Sequence, residues 1–584
     1  MAPATTDPVS PLPHRYLDAM ANSLDAILAE QLENGQMKSL PIYVPFHPAD
    51  QKVVYPLAYL WACDDTHNAH RGSPRVLDAA LRLGDFLAQT VDDKGVLHYD
   101  SNGYRVRSVT QWLMHAWLEA WMLLERELGP ARAAAWRARL EAGAATVLEE
   151  IRRWNRLPKF HTRSFDTSPN HASLYAAYAY RAGQLFGHAD WLREVDAFMD
   201  KFVLLQDADG FWPEYEGPVT AYGFMTLCGV ALWADYAGRA DIAPRVERSA
   251  AWFSRVFHPD GAPMICLDGR MQGHKAVSPF AHFAIARTSE GRALIDLVTR
   301  DWPTRRLTTW EFMHAAQNHR YWPAGGSTGR LPLAGAMAYR MNRTACTRRE
   351  GPWSWALQAI VTPQWPDTPW SLDRQTLIEL HHVDAGTVLE GSNCKQRRQA
   401  ATFGTSRDAQ DALPVSSDLD ANVSRLDARF GAFAAELAVE PGADGALILS
   451  ARARDFAAAD TVYFRLQPGV HLGTEISLVV EAPQSPTRGK KKLITPEGGC
   501  ATQATSARQI TLGSERFSIE GVRSLSWGKV ALDFDAPARV WWPMEGYDSY
   551  AADHKYPDLA AARLIVEVSL SAAKPACRVT ARIG

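Results

Sequence analysis

The chain has 584 residues, a formal net charge of −3, and is 47% hydrophobic and 22% charged. That length exceeds one compact core and predicts two or more domains. The near-neutral balance offers no broad basic field for nucleic acid or an anionic membrane, and the lack of any run of about 18 apolar residues excludes a transmembrane helix.

Residues 1–13, MAPATTDPVSPLP, read as a Pro-rich lead-in. They lack the basic n-region and apolar h-region of a secretory signal. This predicts a cytoplasmic protein, or a periplasmic one if a signal preceded this start. Seven cysteines, at 63, 228, 266, 346, 394, 500 and 577, form no CxxC pair and no dense framework. They read as reduced thiols, mostly buried. The 20 Trp, 18 Tyr and 21 Phe fit either a large aromatic core or the ring-lined clefts of carbohydrate-binding proteins.

Residues 14–328 read as helical, with long Ala- and Leu-rich periodic segments broken by Gly and Pro. A weak repeat runs through them. An aromatic-rich helix ends in a Gly turn and a more charged amphipathic helix follows, with turns at Gly72, Gly129, Gly187 and Gly238. The first helix of each pair is apolar nearly all round and the second has one polar face, as inner and outer layers require. Repeated hairpins must stack to bury their faces, which predicts an (α/α) toroid whose long loops surround a central cleft.

Three loops feed inner helices. HYDSNGYRVRSVTQW (98–112) precedes the first. FHTRSFDTSPNHASLYAAYAY (160–180) leads into a helix with Ser168 at the N-cap and Pro169 at the first helical position. Asn170 and His171 then occupy the first turn, where free N–H groups and the dipole favour a carboxylate. Tyr175 and Tyr178 continue the face of His171. DGFWPEYEGPVTAYGFMTLCGVALW (209–233) repeats the form, with Glu214 and Glu216 in the loop and Tyr222 near the helix start.

Texture changes within WPAGGSTGRLP, and residues 329–584 read as short strands alternating with period two, separated by turn signals. An antiparallel β-sandwich is predicted, so the whole is an α+β multidomain chain. In LIELHHVDAG, His381 and His382 fall on opposite faces of a strand. The run Lys490–Lys492 reads as a solvated hairpin tip.

These pieces together resemble the heparinase II/III-like and alginate-lyase-type polysaccharide lyases. The match rests on the Asn170-His171 pair, on Asp209, Gly210, Glu214 and Tyr222 in a D-G-x-x-x-E…Tyr context, and on His382, Asp384 and Gly386 in an H-x-H-x-D-x-G strand. Leu380 stands at that strand's first His position, with His381 one place off. The resemblance implies a toroid followed by a β-sandwich, and β-elimination at a uronic acid. That reaction needs a neutralised carboxylate, a base for the C5 proton and an acid for the leaving oxygen. On it, Asn170 neutralises the carboxylate, His171 is a second donor or the base, and Tyr222 is the acid or serves as both. Arg105, Arg107, Gln111, Trp112, His115, Arg163, Tyr175, Trp212, Glu216, His381 and His382 are the candidates for holding substrate. The partner implied is a uronate-containing polysaccharide or oligosaccharide. No cofactor is needed for the chemistry, and a structural metal ion near His382 is the one inorganic group the resemblance suggests.

Two other readings of the same residues stay open. A toroid-fold glycoside hydrolase would use paired carboxylates drawn from Asp166, Glu214 and Glu216. A non-catalytic glycan-binding protein would use the aromatic cleft alone.

Overall fold

Apolar stripes and Gly-marked turns organise the first half of the chain into paired helices. The structure, a computed structural model, describes residues 11–40, 43–101, 104–108, 110–161, 165, 167–214, 217–269, 278–329, 336–361, 376–391, 401–405, 413–481, 505–544 and 559–584. Its helices are α1 (His14–Leu28), α2 (Val54–Ala62), α3 (Pro74–Thr90), α4 (Gln111–Leu124), α5 (Gly129–Asn155), α6 (Pro169–Phe186), α7 (Ala189–Phe202), α8 (Thr220–Ala237), α9 (Ala243–Phe253), α10 (His282–Ile285), α11 (Ser289–Val298) and α12 (Thr309–Arg320).

The even-numbered helices pack each on the next, and α12 packs on α2, which closes an inner ring of six. The odd-numbered helices clothe it. Burial follows this division. In α8 every residue from Gly223 to Ala234 is buried. In α7 only the stripe Trp191, Val195, Phe198, Met199 and Phe202 is, the one-sided pattern of an outer helix. Arg15 of α1 ties the two ends of the toroid together, pairing with Asp296 at 2.8 Å and donating to the Thr299 hydroxyl at 3.1 Å.

Gly187 and Gly238 end α6 and α8 in the left-handed conformation, with φ of 84° and 65°. A side chain at either position would be strained. The short turn after Gly187 sends α7 back antiparallel to α6, so α8 runs parallel to α6 and their starts lie at the same end.

The chain divides into two compact units, residues 1–255 with 276–332, and residues 256–275 with 333–584. The second unit holds a five-stranded and a twelve-stranded sheet among its described residues. Strands pair antiparallel throughout, as in Trp353–Gln358 against Ile378–His382. Trp353, Trp355 and Leu357 share one face of the smaller sheet and pack in one core with Phe464, Leu478 and Val566 of the larger. The two sheets are therefore stacked on a common apolar layer, and the chain is an α+β protein of toroid and layered antiparallel sheets. Segment 256–268 covers the smaller sheet's other face. His258 meets the Ser354 hydroxyl at 2.7 Å and Glu379 at 3.1 Å, and the Cys266 N–H donates to Glu379 at 2.8 Å.

No described helix is long and apolar enough to cross a membrane. The five described cysteines are free, and all but Cys63 are buried.

Candidate active site

The start of α6 is built as its sequence requires, with one substitution of partners. Ser168 is extended at the N-cap and Pro169 opens the helix. The Ser168 hydroxyl caps no backbone N–H, however; it accepts the Asn170 side-chain amide at 2.9 Å. That amide also donates to Glu214 Oε1 at 3.0 Å. Asn170 is 0% exposed and Glu214 2%, so the loop before α8 is fastened to the first turn of α6 through a buried amide–carboxylate contact. Asn170 Oδ1 is buried without a partner.

His171 follows on the half-buried side of that turn. Its Nδ1 lies 3.3 Å from the Thr167 hydroxyl, and its ring stands edge-on to Trp112 at 5.1 Å. Tyr222 is half-buried in the first turn of α8. Gly229 explains why α6 and α8 approach so closely. A Cβ there would lie 2.5 Å from the Ser173 carbonyl carbon and 2.7 Å from its oxygen. Gly229→Ala should therefore push the helices apart, costing about 1–3 kcal/mol as overpacking does. It should also separate Tyr222 from the Asn170 turn. The urea midpoint and turnover of that variant are to be measured together; an unchanged midpoint would mean that the contact is slack.

Tyr175 lies one turn beyond His171 on the same face. With Val96, Arg107, Ser108, Thr146, Val147, Glu150, Trp154 and Thr167 it lines a cleft of about 390 Å³. Arg107 and Tyr175 thus share one cleft, whose wall includes the threonine against His171. Burial, and secondarily the Glu150 charge, pushes the Tyr175 hydroxyl far above its ordinary value. Arg105 lies two residues along the same hairpin strand, largely exposed and 3.9 Å from Asp100.

Other predicted residues lie elsewhere. His115 is buried, 2.9 Å from the Tyr236 hydroxyl, beside a network around Glu119 near the opposite ends of the inner helices. There Glu119 pairs with Arg320 at 2.8 Å and Arg181 at 3.2 Å, and accepts the Tyr321 hydroxyl at 2.9 Å. Burial pushes the Glu119 carboxyl up, but Arg320, His115 and Arg181 more than offset this. Burial drives His115 down to about 4. Trp212 is 1% exposed and presents no face to solvent. Arg163, Asp166, Glu216 and the Lys490–Lys492 run lie outside the described residues, as does the side chain of Gln111.

His381 and His382 belong to the second unit and are buried there. His381 pairs with Asp260 at 2.9 Å and stacks on His258 at 4.8 Å. His382 accepts the Asp384 N–H on Nδ1 at 3.1 Å and stands edge-on to Trp353 at 4.7 Å. Among the described residues no three His, Cys, Asp or Glu side chains are grouped to hold a metal ion.

One group at the inner-helix starts was not singled out in the sequence. Lys52 precedes α2, and Trp310 and His314 belong to the first turns of α12. Trp112 stands 5.9 Å from Trp310, and Phe280 lies 5.1 Å from Trp310 and 3.7 Å from His314. The sequence signal was faint: a single lysine before the apolar run VVYPLAYLW.

No protein-family model matches the chain, and no curated protein sequence matches it. Among solved structures it is similar to the Streptomyces coelicolor A3 chondroitin AC lyase in complex with chondroitin sulphate, with 14% identity over 99% of this chain and 80% of that chain, and a TM-score of 0.47. It is similar to a heparinase III at 11% identity, over 96% and 83% of the two chains, with a TM-score of 0.47. It is also similar to a heparan sulfate lyase mutant from Pedobacter heparinus at 11% identity, over 99% and 84%, with a TM-score of 0.45. Each is a likeness at an identity too low to carry a substrate or a residue's role across.

Proposed function

We propose that the protein is a polysaccharide or oligosaccharide lyase that cleaves a glycosidic bond at a uronic acid by β-elimination, leaving an unsaturated uronide. The observation that carries this reading is the packing of two parallel inner helices, one with Asn170 and His171 in its first turn and the other with Tyr222 in its first turn. A helix start favours an anion through its free N–H groups and dipole. Both hydrogens of the Asn170 amide are engaged, by the Ser168 hydroxyl and the Glu214 carboxylate, so on this reading a uronate carboxylate takes the place of one of these acceptors. Such a donor withdraws charge from a uronate carboxylate and so acidifies the adjacent C5 proton.

On this reading His171 or Tyr222 accepts the C5 proton and Tyr222 returns one to the leaving glycosidic oxygen. The electron pair of the broken C–H bond becomes the C4–C5 double bond as the C4–O bond breaks. No redox partner enters, and no cofactor is required. Arg107 and Tyr175 line one neighbouring cleft, and on this reading they hold the anionic sugar and stack on its ring.

A second reading keeps support from Glu214, which is buried and held in place by Asn170, as one carboxylate of a hydrolase pair. Incubation with a panel of uronate-containing polysaccharides and oligosaccharides separates the two. Elimination produces a new ultraviolet chromophore from the conjugated uronide. Release of reducing sugar without that absorbance would establish hydrolysis and overturn the lyase reading.

A further inference from the structure

The elimination leaves one buried group at the inner-helix starts without a task. Lys52, on the 3-10 turn Asp50–Val53 leading into α2, is 0% exposed. Its Nζ has no hydrogen-bond partner. It lies 3.3 Å from the centroid of the Trp310 ring, 5.8 Å from Phe280 and 5.9 Å from Trp112. An aromatic cage therefore surrounds an amine that no carboxylate among the described residues pairs with. Asp50, on the same turn, accepts the Thr309 hydroxyl on its own Oδ1.

Two polar atoms of the cage itself are also buried without partners, Trp112 Nε1 and His314 Nε2. Trp112 joins the cage to the site, since one ring contacts both Trp310 and His171.

Burying an ammonium without a counter-ion is costly. Aromatic faces offset only part of that cost. A hydrophobic side chain of similar length would pack there without it, so on stability alone lysine is a poor choice. We propose that Lys52 is an anion-sensing positioning residue: when a uronate carboxylate occupies the site beside His171, Lys52 takes up a proton, and its charge behind Trp112 and Trp310 holds that carboxylate without touching it.

The surrounding groups fit this role. Burial keeps the Lys52 amine well below the ordinary lysine value, opposed by the Asp50 charge on its own turn and by Cys228 of α8. His314 of α12 is lowered chiefly by burial, and a charged Lys52 lowers it further. His47, upstream of the turn, is lowered chiefly by burial, with Asp50 raising it and a charged Lys52 lowering it. None of these supplies a full negative partner beyond Asp50; an incoming carboxylate also acts on His171, beside which it sits, and the Lys52→Met variant separates the two sources of a proton.

The inference takes only the identity of the anion from the lyase reading, and its test does not need turnover. Sodium D-glucuronate, with methyl glucoside as the neutral control, is titrated calorimetrically into the full chain at pH 7.5 in phosphate and in Tris. The two buffers have different ionisation heats, so an uptake of about one proton appears as a buffer-dependent enthalpy. The parent should bind glucuronate with that uptake and ignore the glucoside. Lys52→Met should melt at a higher temperature, bind glucuronate at least about tenfold more weakly, and show no buffer dependence.

A merely structural lysine would move the melting temperature and leave proton uptake alone. Equal affinity in parent and variant, a parent without proton uptake, or a parent that does not bind glucuronate would each overturn the inference. A parent that binds with uptake yet forms no unsaturated product from any uronate polymer would sustain it and overturn the lyase reading instead.

Discussion

Tyr222→Phe should lose about 10²- to 10⁴-fold of turnover on a uronate substrate, the range expected when a positioned proton donor is removed. Its melting behaviour should stay close to that of the parent. The reason is local. Tyr222 is only half-buried and sits in the first turn of α8, so removing its hydroxyl opens no cavity and leaves the ring in place. The loss should fall on kcat, with KM little changed, because the hydroxyl acts on the leaving oxygen in the transition state rather than on bound substrate. Asn170→Ala is a less discriminating variant. It removes the contact to Glu214 and leaves a buried carboxylate short of a donor, which costs stability whatever the chemistry. Turnover followed by ultraviolet absorbance, with a melt on the same preparation, decides the matter. A Tyr222→Phe protein that keeps the parent's kcat removes Tyr222 from the mechanism and with it the main support for elimination.

Much of this arrangement was legible in the sequence because it is local. Pro169 and Pro218 mark where inner helices begin, and helix starts fix which residues occupy a first turn. Gly72, Gly129, Gly187 and Gly238 mark the turns, and all four adopt positive φ. The change from helical to two-residue periodicity separates toroid from sheets for the same reason.

What was not legible depends on residues far apart in the chain. The Asn170 amide is engaged by a glutamate 44 positions away, and no spacing rule predicts that. His115 shares a helix face with Gln111 in sequence, yet it faces Tyr236 and the Glu119 network. The Lys52 cage is assembled from residues before α2, at the start of α4, before α10 and at the start of α12. A closed ring brings these together; the linear chain does not. Segment 256–275 carries no strand periodicity of its own, and it joins the β unit through side chains such as His258 and the backbone of Cys266.

The toroid should also lose stability steeply on acidification, for a reason independent of catalysis. His115 and His282 are each driven down to about 4, primarily by burial. His282 shows why the neutral ring is required. Its Nε2 faces the Ser278 carbonyl at 3.1 Å, which can only accept, so Nε2 carries the proton. Its Nδ1 lies 3.0 Å from the Tyr16 hydroxyl, which can then donate to it. Protonating Nδ1 would reverse that second bond inside a closed core. Because both folded values lie below the unfolded histidine value near 6.5, the unfolded chain binds more protons between about pH 6.5 and 4. Stability is complete above that window and falls as pH drops through it. At 1.36 kcal/mol per pKa unit, each histidine accounts for about 3 kcal/mol as an upper bound, a large share of the 5–15 kcal/mol typical of a domain. Below the window Glu119 continues the loss. Its folded carboxyl lies below its ordinary value, so it withholds a proton that the unfolded chain accepts. Urea midpoints of the helical unit at pH 7, 6, 5 and 4 should fall most between 6 and 4. In His282→Gln the starting midpoint should be lower, because the Tyr16 contact is lost, but the slope with pH should be shallower. A midpoint flat from pH 7 to 4 in the parent, or the same slope in parent and variant, would show that His282 is not the neutral core group its two hydrogen bonds require.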